Sequence, residues 1–292
     1  MSRVALAAAL RAFWRDARAY APVRPWRLLG TTWAATLSAW GIVTLWAWHA
    51  GRTLGDPAQI TGWSLLAAML GLGAFNLRKR LVVLPVGSAR AWMVAHGVVG
   101  VVSLPLYFQH TGTLWPDGVY ERVLALLFYV TMGSGAVGYL MERLLPRRLT
   151  DLDREILFER IPSEIADLRA QAEALVLRAM QDAGTDTLGR YYAESLDWYF
   201  WKPRFLFSHL VGSGRATRWI RGHISALGRY LGERERAYLD QLRDIALRKS
   251  QVDAHLALQG ALKYWLFVHV PAALLLVLAA GWHLLVVHIY AR

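Results

Sequence analysis

Cysteine is absent from all 292 residues. That absence excludes disulfides, thiolate zinc sites, iron–sulfur clusters, thiol nucleophiles and covalently attached c-type haem, and it leaves the redox compartment open. Any metal must be held by His, carboxylate, Met or carbonyl. Acidic residues are scarce, 21 Asp and Glu against 33 Lys and Arg, for a formal net charge of +12. Such an excess points to nucleic acid or to anionic lipid, and where the charge sits decides between them. Hydrophobic residues, by contrast, make up 55% of the chain, 14 of them Trp, and mean hydropathy is +0.28. A soluble domain is typically about 45–50% apolar on a broader count that includes Gly, so the composition is that of a membrane protein.

Crossing a hydrocarbon core takes about 20 mostly apolar residues with charges pushed to the ends. Five stretches qualify: Trp26 to His49, Ala58 to Asn76, Ala89 to Thr111, Val119 to Leu145 and Ala261 to Tyr290. The expected fold is an all-α polytopic membrane protein, with about five transmembrane helices around a four-helix-type bundle and a cytoplasmic helical insert. Its parts are an interfacial segment (1–25), the first four spans (26–145), the insert (146–260) and a last span (261–292) that completes the bundle.

The N-terminal segment has an apolar run from Val4 to Leu10 that is broken by Arg11, Arg15, Asp16 and Arg18. That makes a poor secretion signal and a good amphipathic helix lying on the bilayer. Arg3, Arg11, Arg15, Arg18 and Arg24 precede the first span, and Arg78, Lys79, Arg80 and Arg90 join the second to the third. The alternate loops carry only Arg52 with Asp56, and Asp117. By the positive-inside rule the N-terminus is cytoplasmic and the C-terminus lies on the opposite, periplasmic side. The basic excess thus reads as topology and lipid contact, and nucleic acid is not an expected partner.

The insert mixes charges of both signs at helical spacing. Ser163 is placed to cap a helix over Glu164 to Gln181, and a second helix is expected over Gly232 to Ser250. In its middle, Tyr191, Tyr192, Trp198, Tyr199, Phe200 and Trp201 precede Lys202, Pro203 and Arg204. This cluster is expected to pack the insert onto the membrane surface rather than to stack on a ligand.

Histidine carries the chemistry. His96 and His110 are 14 residues apart in the third span, and His269 and His283 are 14 apart in the fifth. Fourteen residues at 100° each return to within about 40° of the starting direction, about 21 Å further along the helix. Both spans run from inside to outside, so His96 and His269 share one depth and His110 and His283 another. Ionisable groups inside a bilayer are costly and usually functional. Two stacked haems, each iron held by one imidazole from each helix, account for all four, and a bis-His iron with no open position suits electron transfer. Gly97, Gly100, Ala279, Ala280 and Gly281 are small enough for flat macrocycles to approach.

This double pattern on two parallel membrane helices resembles the di-haem membrane cytochrome b superfamily, which includes bacterial b-type cytochrome subunits. The resemblance covers Trp26 to Leu145 and Ala261 to Arg292. It implies two noncovalent haem b groups, with His96, His110, His269 and His283 as axial ligands in the pairs His96/His269 and His110/His283. It also implies that Arg78, Lys79, Arg80, Arg90 and Lys263 meet the propionates of the inner site. The chain has no Pro-Glu-Trp-Tyr quinol motif, and no flavin or nicotinamide domain is expected after the last span. The expected function is transmembrane electron transfer as the subunit of a respiratory, quinone-linked oxidoreductase complex in the bacterial inner membrane. Its partners would be other redox subunits, including an outer-side cytochrome or similar acceptor or donor. The competing readings are a cofactor-free scaffold or transporter with functional His, and a stand-alone metal or oxygen reductase.

His209 and His223 are also 14 apart, as are His255 and His269, which leaves a third haem at His255 with His209 or His223 open. His288 and His49 read as interfacial residues. Gly133, Gly135 and Gly138 match GxGxxG, but inside an apolar span they signal close packing rather than a dinucleotide site.

Overall fold

The computed structural model describes residues 25–78, 87–152 and 154–290, so the N-terminal amphipathic segment and the basic loop residues Lys79 and Arg80 lie outside the described residues. The structure is 87% helical, and among the described residues there is no strand and five helices are long and apolar enough to cross a membrane. It is an all-α, multi-pass membrane protein. Helices α1 (Pro25–Arg52), α2 (Pro57–Arg78), α3 (Ala89–Thr111) and α4 (Val119–Thr150) come first. The helices α5 (Ile161–Ala183), α6 (Thr187–Tyr191), α7 (Asp197–Trp201), α8 (Leu206–Val211) and α9 (Arg215–Leu227) then lead to α10 (Glu233–Tyr290).

Two compact units divide the chain, one of residues 1–135 with 269–292, the other of residues 136–268. In the first, polar side chains mark where the helices begin and end. The Asp56 carboxylate accepts from the backbone N–H groups of Ala58 and Gln59, with Pro57 opening α2. Ser88 caps α3 by accepting from Ala91, and Gly112, at φ 67°, ends it. Between these ends, Leu65, Met69, Leu106, Tyr107, Ala125, Phe128 and Leu276 form a core drawn from α2, α3, α4 and α10. Tyr107 stacks on Phe128 at 4.2 Å and 11°. Gln109 of α3 accepts from the Trp40 indole N–H and donates to Thr44, which ties α3 to α1. The outer surfaces stay apolar, with Ile42, Leu45, Leu126, Leu274 and Leu278 exposed, as helices facing lipid require.

In the second unit, Ile161, Leu168, Ala172 and Leu175 of α5 share a core with Leu196, Tyr199, Phe200, Ile220, Ile224, Leu242 and Ala246. Two sequence expectations change here. Helix α5 begins at Ile161 with Pro162 in its first turn, and the Ser163 hydroxyl donates back to the Arg160 carbonyl instead of capping. The earlier start buries Ile161 and lets proline take a position whose N–H would have no helical acceptor. The helix expected over 232–250 does not stop there either. It runs on through Gly260 and Pro271 into the last span as 58 continuous residues.

The aromatic cluster also divides. Tyr192, Tyr199 and Phe200 are buried in the core of the second unit, while Trp198 and Trp201 stay exposed. Tyr199 donates from its hydroxyl to the Ala246 carbonyl, and burial pushes its phenol well above the usual tyrosine range.

Candidate functional site

All four sequence-predicted histidines lie in the first unit, and they meet in the expected pairs. The rings of His96 and His269 are 6.3 Å apart between centroids, and those of His110 and His283 are also 6.3 Å apart. The ring planes of the two pairs cross at 72° and 88°. A metal–imidazole bond of about 2.0–2.1 Å, plus about 1.1 Å from nitrogen to ring centre, puts two imidazoles on opposite sides of one metal about 6.2–6.4 Å apart. Both pairs have that spacing, and the 14-residue interval sets them one above the other along α3 and α10.

Neighbouring groups hold two of the four rings, His110 and His269, through Nδ1. His110 Nδ1 lies 3.0 Å from the Ala58 carbonyl, with the Thr61 hydroxyl at 3.5 Å. A backbone carbonyl can only accept, so it fixes the proton on Nδ1 and leaves Nε2 with its lone pair. His269 Nδ1 is 3.0 Å from the Ser134 hydroxyl, which itself donates to the Thr131 carbonyl. His96 packs against Phe75 at 5.4 Å, and its Nδ1 is buried without a hydrogen-bond partner. His283 stacks with Tyr120 at 6.1 Å, and Tyr120 donates to the Ala279 carbonyl one turn earlier on α10.

Glycine makes room for two of these rings. A Cβ on Gly62 would lie 2.8 Å from His110 Cε1, and one on Gly135 would lie 3.3 Å from His269 Cε1. Gly62 was not singled out by sequence, because nothing local marks which glycine of a Gly-rich span faces a histidine 48 residues away. Gly135 belongs to the GxGxxG run, and its role is the close packing expected of that run. At Gly138 a Cβ would collide with the Trp265 indole. Beside Gly100, Gly133 and Gly281 a Cβ would meet nothing within 4 Å.

The residues present fit a haem. Among the described residues no group of three or more His, Cys, Asp or Glu converges as a metal-ion site would require. A haem needs only two protein ligands, because its macrocycle fills the other four positions. The equal spacing, the Nδ1 contacts and the glycine cradle at His110 all suit that arrangement.

The other five histidines join neither pair. His255 is buried, with Nε2 2.6 Å from the Arg154 carbonyl and Nδ1 3.1 Å from Gln259 Nε2, so neither nitrogen is open for a third haem. His223 stacks on Trp219 at 4.2 Å. Burial of His209 and the nearby Lys249 charge both push its imidazole below the usual range. His288 lies edge-on to Trp63, and His49 is exposed. Of the cations expected at propionates, Lys263 instead faces Glu159 at 3.6 Å and lies over the Phe158 ring, while Arg90 is exposed.

No family model, curated protein or solved structure matches this chain.

Proposed function

We propose that the protein is a transmembrane electron carrier holding two b-type haems, one between His96 and His269 and the other between His110 and His283. The carrying observation is that both pairs show the 6.3 Å ring separation, each pair taking one histidine from α3 and one from α10. The haem supplies one-electron chemistry when bound. His96, His269, His110 and His283 would hold the two groups and leave no protein-side position for substrate, which would suit electron transfer. The Ala58 carbonyl and the Ser134 hydroxyl orient the ligands, and Gly62 and Gly135 let α2 and α4 approach them.

The basic residues before α1 and between α2 and α3 support a cytoplasmic N-terminus and a periplasmic C-terminus in a bacterial inner membrane. With that orientation the two sites lie at different depths, as a relay across the bilayer requires. A respiratory, quinone-linked complex with further redox subunits is the setting this suits. A quinone would complete such a setting, and a shallow open groove lined by Thr44, Trp48, Thr61 and Gln109 lies beside the second site.

The test is a reduced-minus-oxidised spectrum of the purified chain, with a pyridine haemochrome assay for stoichiometry. The expected outcome is the α-band of a b-type haem and two haems per chain. Absence of both signals overturns the proposal and leaves a cofactor-free scaffold or transporter.

A further inference from the structure

Between Trp198 and Gly232 the chain contains no Asp or Glu, yet it carries Lys202, Arg204, Arg215, Arg218, Arg221 and Arg229. The rest of the insert mixes both signs. Among the described residues no carboxylate lies within ion-pairing distance of any of these six side chains. Two of the cations lie over indoles instead, Lys202 above Trp201 at 4.9 Å and Arg204 above Trp198 at 4.7 Å.

The same stretch exposes large apolar side chains. Trp201 is 56% exposed and Phe207 76% exposed. On α8, Phe207 and Val211 are one turn apart on the outer face, while Ser208 turns inward to bond Ser213. Trp198 packs edge-on at 5.1 Å against Trp219 of α9, a helix whose first turns expose Arg215 and Arg218. This stretch thus presents exposed Trp, Phe and Val side chains together with cations that make no ion pair among the described residues.

We propose that this surface docks on anionic phospholipid headgroups. Indole and guanidinium together favour the headgroup layer, where the ring sits at the acyl boundary and the cation meets phosphate. The absence of any acidic residue over 35 positions gives the face a single sign, complementary to an anionic leaflet. The insert is continuous at both ends with helices that cross a membrane, so the bilayer is its permanent neighbour. A soluble acidic protein would match the charge, but it leaves the exposed Trp201 and Phe207 without the apolar boundary they fit.

The lack of native cysteine permits a single reporter, Phe207→Cys, carrying a polarity-sensitive dye on the full chain in nanodiscs. In phosphatidylglycerol mixtures the emission is expected to shift to the blue and to lose its quenching by an aqueous quencher. In pure phosphatidylcholine the dye should stay exposed. High salt should reverse the shift in the anionic discs, a readout that needs no further substitution. Lys202→Glu, Arg215→Glu and Arg218→Glu combined should abolish it, with helicity checked by circular dichroism. Equal quenching in both lipids overturns the proposal, as does shielding that survives high salt. Neither result depends on haem content.

Discussion

His110 and His283 lie 6.3 Å apart between ring centres, and His96 and His269 repeat that distance 14 residues earlier on the same two helices. A repeat of this kind constrains the bundle. Fourteen residues bring an α-helix back to nearly the same face, so both pairs can close only if α3 and α10 run in the same direction and in register. A slip of one residue on either helix would rotate its histidines by about 100° and separate both pairs together.

Single substitutions should therefore remove haem site by site. His96→Leu or His269→Leu is expected to lower the haem content from two per chain to one, and His110→Leu or His283→Leu to remove the other. His255→Ala and His288→Ala should leave both in place, because His255 is bound to Arg154 and Gln259 and His288 to its own helix. Pyridine haemochrome assays normalised to protein measure this. Full retention in His96→Leu would refute the assignment of the first site.

The spans and the histidine pairs were legible in the sequence because both rest on local patterns. Apolar length marks a membrane helix, and the 14-residue interval fixes a helical face. The start of α5 was misplaced because Ser163 looks like a cap, whereas burial of Ile161 and the tolerance of Pro162 in a first turn draw the helix forward. Gly62 and Ser134 were missed for a different reason. Each acts on a histidine more than 45 residues away in sequence, and only packing reveals which glycine or serine of a span faces it.

Gly62 gives the sharpest steric prediction. An alanine there would place its methyl 2.8 Å from His110 Cε1, and the ring is already anchored by its bond to the Ala58 carbonyl. Gly62→Ala should cost about 1–3 kcal/mol in stability, as overpacking does, and should reduce haem at the second site. Gly71→Ala meets nothing within 4 Å, so it should be neutral or gain helix propensity worth up to about 1 kcal/mol. Thermal unfolding in detergent compares the two, and an equal effect would contradict the geometry.

Ser134→Ala probes the orientation of His269. The hydroxyl lies 3.0 Å from Nδ1, and groups that hold a ligating imidazole in place typically contribute about 10–100-fold to metal affinity. Loss of affinity confined to the first site is the expected outcome, read from haem titration of the apoprotein, with Ser134→Thr restoring it. An unchanged affinity would show that Ser134 does not orient the ring.

The buried pair Lys249 and Asp253 makes a prediction independent of haem. Both side chains are 0% exposed and meet at 2.7 Å, and they hold the adjoining loop through the Lys202 carbonyl and the Arg204 N–H. Burial lowers the Lys249 ammonium below its usual range and pushes the Asp253 carboxyl up to about 6, in each case outweighing the partner's opposite pull. The raised Asp253 contributes stability that is fully present below its unfolded value, about 3.9, and lost as pH rises through the folded value. Lys249, being lowered, contributes stability above its unfolded value that is lost as pH falls through the folded one. Near neutral pH the ionised pair therefore contributes neither gain. Removing one partner should cost about 3–5 kcal/mol, because the other charge is left buried alone, whereas Lys249→Met with Asp253→Leu should lie closer to the parent than either single variant. In Lys249→Met, Asp253 loses its main cation and its carboxyl should rise further, so the unfolding temperature should fall as pH is raised from about 4 to about 7. A flat profile in that variant would show that Asp253 is not held in a desolvated site.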